Sequence, residues 1–219
     1  MTKKALVMGG SRGIGKAIAD ALRHDAGVSV HAASSRDVDT SDLDSVRRFA
    51  AGHGGSTDIL VLNTGGPPPK RFPETTEDDW KRYHNQLFLG FCTMLQEVRV
   101  NDDGYIFLIS SSVIKEPDPR LVISAAYRAA FAEVFRVQSR TEYARRNITC
   151  VTIAPGPIGT DRTRELVSDL EGFQEQLPMG RLGEPREIGE FVAAIVCRSI
   201  KYLSGAVINF DGAGSRYVF

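Results

Sequence analysis

Ala5-Leu-Val-Met8-Gly9-Gly10-Ser11-Arg12-Gly13-Ile14-Gly15-Lys16 is the stretch from which the rest of the chain is read. A short apolar run of strand character stops at a glycine cluster, and residues with helical spacing take over on its far side, over Gly15–Leu22. Glycines at such a strand-to-helix turn let the backbone approach a pyrophosphate, whose charge then rests on the unpaired amides and positive end of the helix. The expected ligand is a dinucleotide, with Gly9, Ser11, Arg12, Gly13, Ile14 and Gly15 as its cradle.

Outward from this turn the same rhythm repeats. Apolar runs at Ala5–Met8, Val28–Ala33, Ile59–Leu62, Tyr105–Ile109, Ile148–Ile153 and Ala206–Phe210 predict six short strands. Between them, Gly15–Leu22, Asp42–Ala51, Glu77–Val98, Ser124–Arg145 and Glu184–Ile200 carry apolar residues at three- and four-residue intervals, the spacing of helices packed on a sheet. Crossovers of this kind are right-handed, so the chain is expected to be an α/β protein with a doubly wound, Rossmann-type, mostly parallel sheet covered on both faces. No internal repeat or change of composition divides residues 1–219, which predicts one domain. Pro67–Arg71 reads as a stiff loop and Gly156–Met179 as a long insertion at the carboxyl edge of the sheet, the usual place for a substrate lid.

Composition narrows the partners. With 42% hydrophobic residues and 21 glycines in 219, the chain has enough apolar material for one core. Its 27 basic and 27 acidic residues cancel, so no global field draws it to nucleic acid or an anionic membrane, and its partners are expected to be small molecules, a substrate among them, or other proteins. Only four apolar residues precede Gly9, too few for an export signal, and the longest apolar run, Phe191–Cys197, is too short to span a bilayer. Three widely spaced cysteines among apolar neighbours predict reduced thiols and a cytoplasmic location. The four histidines lack metal-ligand spacing, so no metal is expected.

The glycine loop resembles that of the short-chain dehydrogenase/reductase family, Thr-Gly-x-x-x-Gly-x-Gly, with Met8 in place of threonine. Leu62-Asn63-Thr64-Gly65 is similar to the family's Asn-Asn-Ala-Gly, and Pro155-Gly156-Pro-Ile158-Gly-Thr160-Asp161 to the turn that holds the nicotinamide amide. Pro178–Pro185 and Ser204–Gly212 resemble its closing helix and last strand. The resemblance implies that Asn63, Thr64, Gly65, Pro155, Gly156, Ile158 and Thr160 also bind the cofactor. After the second strand, Ala33-Ser34-Ser35-Arg36 offers no acid to the ribose hydroxyls, whereas Arg36 and Arg12 can pair with a 2′-phosphate, which favours NADP(H) over NAD(H). Asp39 resembles the aspartate that bonds the adenine amino group, but follows Arg36 by three residues where the family inserts a helix and a strand. A trimmed adenosine pocket on a six-stranded sheet is therefore expected.

The family's catalytic groups are a serine, Tyr-x-x-x-Lys and a supporting asparagine. In Ser110-Ser111-Ser112 the serine is read as Ser112; the tyrosine position is Ser124 and the lysine position Arg128. Tyr127 points to another helix face, and the asparagine maps to Leu87, with Gln86 or Asn85 one or two residues away. An alkyl hydroxyl is too weak an acid for the tyrosine's role and arginine does not release its proton, so Ser112, Ser124 and Arg128 are left with electrostatics: donating to an oxyanion or holding a carboxylate. Three readings follow. One is conjugate hydride addition to an enone or dienone; another is a carbonyl reductase using Tyr127, Tyr83 or His84 as substitute acid; the third is a dinucleotide-binding subunit without catalysis. Lys115-Glu-Pro117, Ser124 with Arg128, Asn147-Ile-Thr and Thr160-Asp-Arg162 resemble a tyrosine-less branch that includes reductases of bacilysin- and aeruginosin-type biosynthesis. That likeness implies a prephenate-derived cyclohexadienyl hydroxypyruvate as substrate, with Arg128, Arg120, Lys70 and Arg71 as candidate partners of its carboxylate. The helix from Ser124 and the one before it are similar to the family's dimer-forming pair, and the tail Ser215–Phe219 offers a further contact, so a homodimer or homotetramer is expected.

Overall fold

In the computed structural model, which describes residues 2–217, the strands are β1 (Lys4–Val7), β2 (Ser29–Ala32), β3 (Ser56–Leu62), β4 (Arg99–Ile109), β5 (Thr149–Pro155) and β6 (Ala206–Phe210). They pair in parallel in the order β2-β1-β3-β4-β5-β6. This is the doubly wound sheet that the repeating pattern predicts. The helices are α1 (Gly13–His24), α2 (Leu43–Gly52), α3 (Glu77–His84), α4 (Gly90–Glu97), α5 (Val122–Arg140), α6 (Glu142–Arg145), α7 (Asp161–Leu166), α8 (Leu170–Glu175) and α9 (Pro185–Cys197).

Successive strand residues face opposite sides of the sheet. Leu6, Leu60, Leu62, Ile106 and Leu108 pack with Val46 of α2, Met94 of α4 and Phe131 and Phe135 of α5. Val7, Ile59, Val61, Phe107 and Ile153 pack with Ile18 and Leu22 of α1 and Ile188 and Val192 of α9 on the other side. Burial on both faces is why the strands read as continuous apolar runs. α9 crosses α1 at Gly189, where a Cβ would stand 2.5 Å from the Ala17 carbonyl oxygen. So close a backbone approach fixes α1, and with it the glycine loop at its start.

Several boundaries differ from the sequence reading, each for a local reason. The helix expected over Glu77–Val98 contains a π turn at Asn85–Leu89, between α3 and α4. The one expected over Ser124–Arg145 breaks at Thr141, whose backbone leaves the helical region, before the short α6. β4 starts six residues early because Arg99 and Val100 pair with Ser56 and Thr57, ahead of a register shift between Thr57 and Ile59. The polar Asn101–Gly104 stretch hides that extension from an apolar count. Beyond β2, the outermost strand, the chain turns directly through Ser34–Asp42 into α2, and no further strand follows there. Of the tail expected to make a contact, Val218 and Phe219 lie outside the described residues.

At the amino-terminal edge of the sheet, Lys201 donates to the carbonyls of Asp103 and, at 3.1 Å, Gly104, and stands 3.6 Å above the Tyr105 ring. Burial, helped by the nearby Lys3 charge, pushes the Lys201 pKa down to about 8. The protonated lysine is thus disfavoured in the fold relative to the open chain, whose lysine titrates near about 10.4. The penalty is present below the folded pKa and is relieved as pH rises, because the unfolded chain then holds the extra proton. Resistance to urea is expected to gain a rising component between pH of about 8 and about 10 that Lys201→Met removes. An unchanged profile in the variant would contradict this.

Candidate dinucleotide and active site

The turns that leave the carboxyl ends of β1, β2, β3, β4 and β5 border one cleft of about 700 Å³. Gly9 and Gly13 hold left-handed backbone angles of 59° and 54°, which only glycine adopts freely. A Cβ on Gly15 would sit 2.1 Å from the Gly9 carbonyl oxygen and 2.7 Å from Asn63 Nδ2. Asn63 itself donates from Nδ2 to the carbonyls of Met8 and Gly9, each at 3.3 Å, so its work is to brace the loop from β3. The first turn of α1 contains no acid, and its cap, Arg12, makes no side-chain bond to it. The amides there are left open to an anion.

All the predicted cofactor residues but two line this cleft. Gly15 is buried behind the loop, where it permits the close packing just described. Arg36 is exposed and outside the lining. The reason is a closed turn: the Asp37 carboxylate accepts from both the amide and the hydroxyl of Ser34, each at 2.7 Å, and leaves Arg36 facing solvent. The same bonds hold the Asp37 carboxyl below its usual range. Ser34, Ser35 and Arg12 remain at this end. Asp39 does line it; its carboxylate accepts from the Ser41 hydroxyl (2.7 Å) and amide (2.9 Å), which lower its pKa, with a smaller contribution from Arg82.

At the floor of the cleft, Arg128 is buried with no carboxylate in contact among the described residues. Its Nε donates to Ser124 Oγ, Nη1 to the Ile109 carbonyl and Nη2 to the Thr64 carbonyl, all at 3.2 Å. Burial pushes its pKa down to about 10, so the side chain is still a cation at neutral pH. Three of the five guanidinium N–H groups are committed and two have no partner among the described residues. A Cβ at Gly66 would lie 3.7 Å from Nη2 and 3.9 Å from Ser124 Oγ, so the pair faces the open cleft across that glycine. A desolvated cation bound only by neutral groups is costly to keep and marks a functional site.

The serine facing the cleft is not Ser112. β4 ends at Ile109 and Ser111 caps a tight 3-10 turn, Ser112–Ile114, which carries Ser112 out of the lining while Ser110 and Ser111 stay in it. Ser110 Oγ is buried without a hydrogen-bond partner among the described residues. The π turn separates the three residues read near the asparagine position: Leu87 goes into the core, Gln86 donates to the Gly65 carbonyl at 2.9 Å and Asn85 to the Ser41 carbonyl at 3.2 Å. Such turns recur where a helix must re-aim a side chain at a site. Tyr127 packs edge-on against Trp80 and beside His84, outside the lining, and burial raises its pKa; Tyr83 lines the cleft.

Of the four cations proposed for a carboxylate, Arg128 alone reaches the cleft. Lys70 pairs with Asp79 at 2.7 Å, Arg120 with Asp118 at 3.2 Å, and Arg71 is exposed. Two arginines that sequence reasoning did not place there, Arg82 of α3 and Arg162 of α7, line it instead. The signal for Arg162 was its place two residues beyond Thr160, in a turn already assigned to the cofactor. Among the described residues no group of three potential metal ligands is present, and no helix is long and apolar enough to cross a membrane.

Comparison with known proteins agrees with this geometry. Residues 31–214 match the family profile described as enoyl-(acyl carrier protein) reductase. The chain is 30% identical to the 3-oxoacyl-[acyl-carrier-protein] reductase FabG of Staphylococcus epidermidis and to the acetoacetyl-CoA reductase of Shinella zoogloeoides, over 97% of its own length and 98% of each of theirs. The FabG alignment runs to 241 positions, longer than the chain, so that relative carries inserted residues. Among solved structures, a short-chain dehydrogenase/reductase from Serratia marcescens matches with a TM-score of 0.84 and 26% identity, over 97% of this chain and 98% of that one. A blue fluorescent protein from a metagenomic library, in complex with NADPH, matches with a TM-score of 0.86 and 26% identity over the same shares. Likeness that runs the whole length of relatives and solved structures alike leaves one assignment: the chain belongs to the short-chain dehydrogenase/reductase family of NAD(P)-dependent oxidoreductases.

Proposed function

We propose that the chain is an NADP(H)-dependent reductase that adds hydride to the β carbon of an α,β-unsaturated carbonyl compound. The observation that carries this is the buried Ser124–Arg128 pair at the cleft, at the positions that the sequence resemblance aligns with the family's acid and lysine. The cradle fits a dinucleotide, since a Cβ on Gly15 would fill the space its backbone needs and the opening amides of α1 are unopposed. Bound there, a nicotinamide dinucleotide supplies a hydride. Arg12 at the mouth, serines in place of an acid after β2, and the NADPH held by the metagenomic relative all support the phosphorylated form.

In conjugate reduction the hydride forms the β C–H bond, the C=C electrons move to the α carbon and carbonyl, and the product before protonation is an enolate. No acid is needed at the moment of transfer. The two remaining N–H groups of Arg128 and the Ser124 hydroxyl, whose oxygen already accepts from Arg128, meet the developing oxyanion as fixed donors. Water entering from the open side protonates the α carbon. Reduction of a simple ketone, by contrast, needs a proton on an alkoxide; Tyr127 and His84 stand outside the cleft lining, which leaves Tyr83 as the one substitute acid for that alternative.

A prephenate-derived cyclohexadienyl hydroxypyruvate has the required dienone and is one member of the substrate class. The family profile, named for enoyl reduction, points to a conjugated double bond, whereas FabG is named for 3-oxoacyl reduction. Turnover of NADPH is expected with an enone or dienone keto acid and not with a simple ketone. Turnover of the ketone alone would refute the proposal, and tight dinucleotide binding without turnover of any carbonyl compound would favour a silent binding subunit. α5 leaves Val137 exposed, which fits the homodimer or homotetramer expected from the sequence; light scattering decides it.

A further inference from the structure

The cleft contains a second guanidinium whose partners in the fold are weak. Arg162, in α7, donates from Nη2 to the Pro67 carbonyl at a long 3.4 Å, and its Nη1 lies 3.9 Å from Glu165 Oε2. Its side chain is 47% exposed, and that of Glu165 is 64% exposed. An exposed i,i+3 pair at such a distance contributes little, so the cation is available to a better acceptor. The other acid of this turn, Asp161, is engaged by Arg164 at 3.5 Å.

Position gives this cation a meaning. Arg128 Nη2 faces Gly66, and Arg162 holds the carbonyl of Pro67, the next residue. The two guanidinium groups therefore flank one short loop, Gly66-Pro67, from within the same cleft. Arg12 sits in the glycine loop and Arg82 beside Asp39, at the dinucleotide's end of the cleft.

We infer that Arg162 selects the substrate by its charge: the compound reduced carries a carboxylate beside its carbonyl group, as an α-keto acid does, and Arg162 exchanges the Pro67 carbonyl for that carboxylate. This rests on the carbonyl group lying at Ser124 and Arg128, as the proposed reaction places it. The inference names a residue of α7 that binds and does not take part in hydride transfer.

The test is binding without turnover, so it stands apart from the reaction itself. Calorimetry on the NADP-loaded protein compares 2-oxo-4-phenylbutanoate, a saturated α-keto acid that cannot undergo conjugate reduction, with its methyl ester. Wild type is expected to bind the acid at least tenfold more tightly than the ester. Arg162→Gln should bring the two within about threefold while leaving NADP affinity within about twofold, and Arg162→Lys should keep part of the preference. Failure of wild type to bind the acid, an acid/ester ratio near one in wild type, or a ratio unchanged in Arg162→Gln would each overturn the assignment. So would loss of NADP affinity in that variant, since Arg162 would then belong to the dinucleotide.

Discussion

Gly15→Ala is expected to weaken dinucleotide binding by a hundredfold or more, read from the fluorescence of bound NADPH. The added methyl would stand 2.1 Å from the Gly9 carbonyl oxygen and 2.7 Å from Asn63 Nδ2. Both are parts of the cradle, and a Cβ has no rotamer by which to escape. Relief needs either α1 or the Met8–Gly10 segment to move. α1 cannot retreat, because Ala17 lies under Gly189 of α9. The loop must give, breaking the two bonds from Asn63 and turning the helix amides away from the pyrophosphate. The stability loss should be smaller, on the order of 1–3 kcal/mol for an overpacked methyl. NADPH affinity within a few-fold of wild type would contradict the cradle as described.

Arg128→Met carries the second large effect, on stability and on activity at once. The thioether approximates the volume but removes every donor. The Ile109 and Thr64 carbonyls and Ser124 Oγ then lose the partner that holds the ends of β4, β3 and α5 together. At about 1–3 kcal/mol for each buried group left unsatisfied, less the desolvation of the cation that is no longer required, a net loss of roughly 2–4 kcal/mol is expected in chemical unfolding. Enone reduction should fall a hundredfold or more, the scale seen when an oxyanion donor is removed. Arg128→Lys should not restore either property, because one ammonium cannot reach three acceptors set in a plane around a fork. A variant that folds as well as wild type and retains turnover would show that Arg128 neither braces nor stabilises charge.

How far the sequence foretold this molecule depended on whether a feature was local. The glycine turn, the six apolar runs and the short passage from Arg36 to Asp39 each depend on residues adjacent in the chain, and the sheet was legible from them. So was the meeting of Ser124 and Arg128, since the two are one helical turn apart whatever surrounds them. Direction at the end of an element was not legible. One residue of register reverses a side chain, and the cap at Ser111 was enough to remove Ser112 from the cleft. Arg36 was turned outward by the hydrogen bonds that Ser34 donates to the next residue's carboxylate, and Arg162 was brought to the site by the contact of α7 with Pro67, distant in sequence. The π turn at Asn85–Leu89 has no composition signal of its own; it aims Gln86 at Gly65 because α3 and α4 must both pack.

The most direct test of the central claim follows the hydride itself. With NADPH carrying deuterium at the transferring position of the nicotinamide and an enone as substrate, the account predicts deuterium on the β carbon of the product, a carbonyl group retained, and a solvent-derived proton on the α carbon. Deuterium on a carbinol carbon, with the double bond intact, would contradict it.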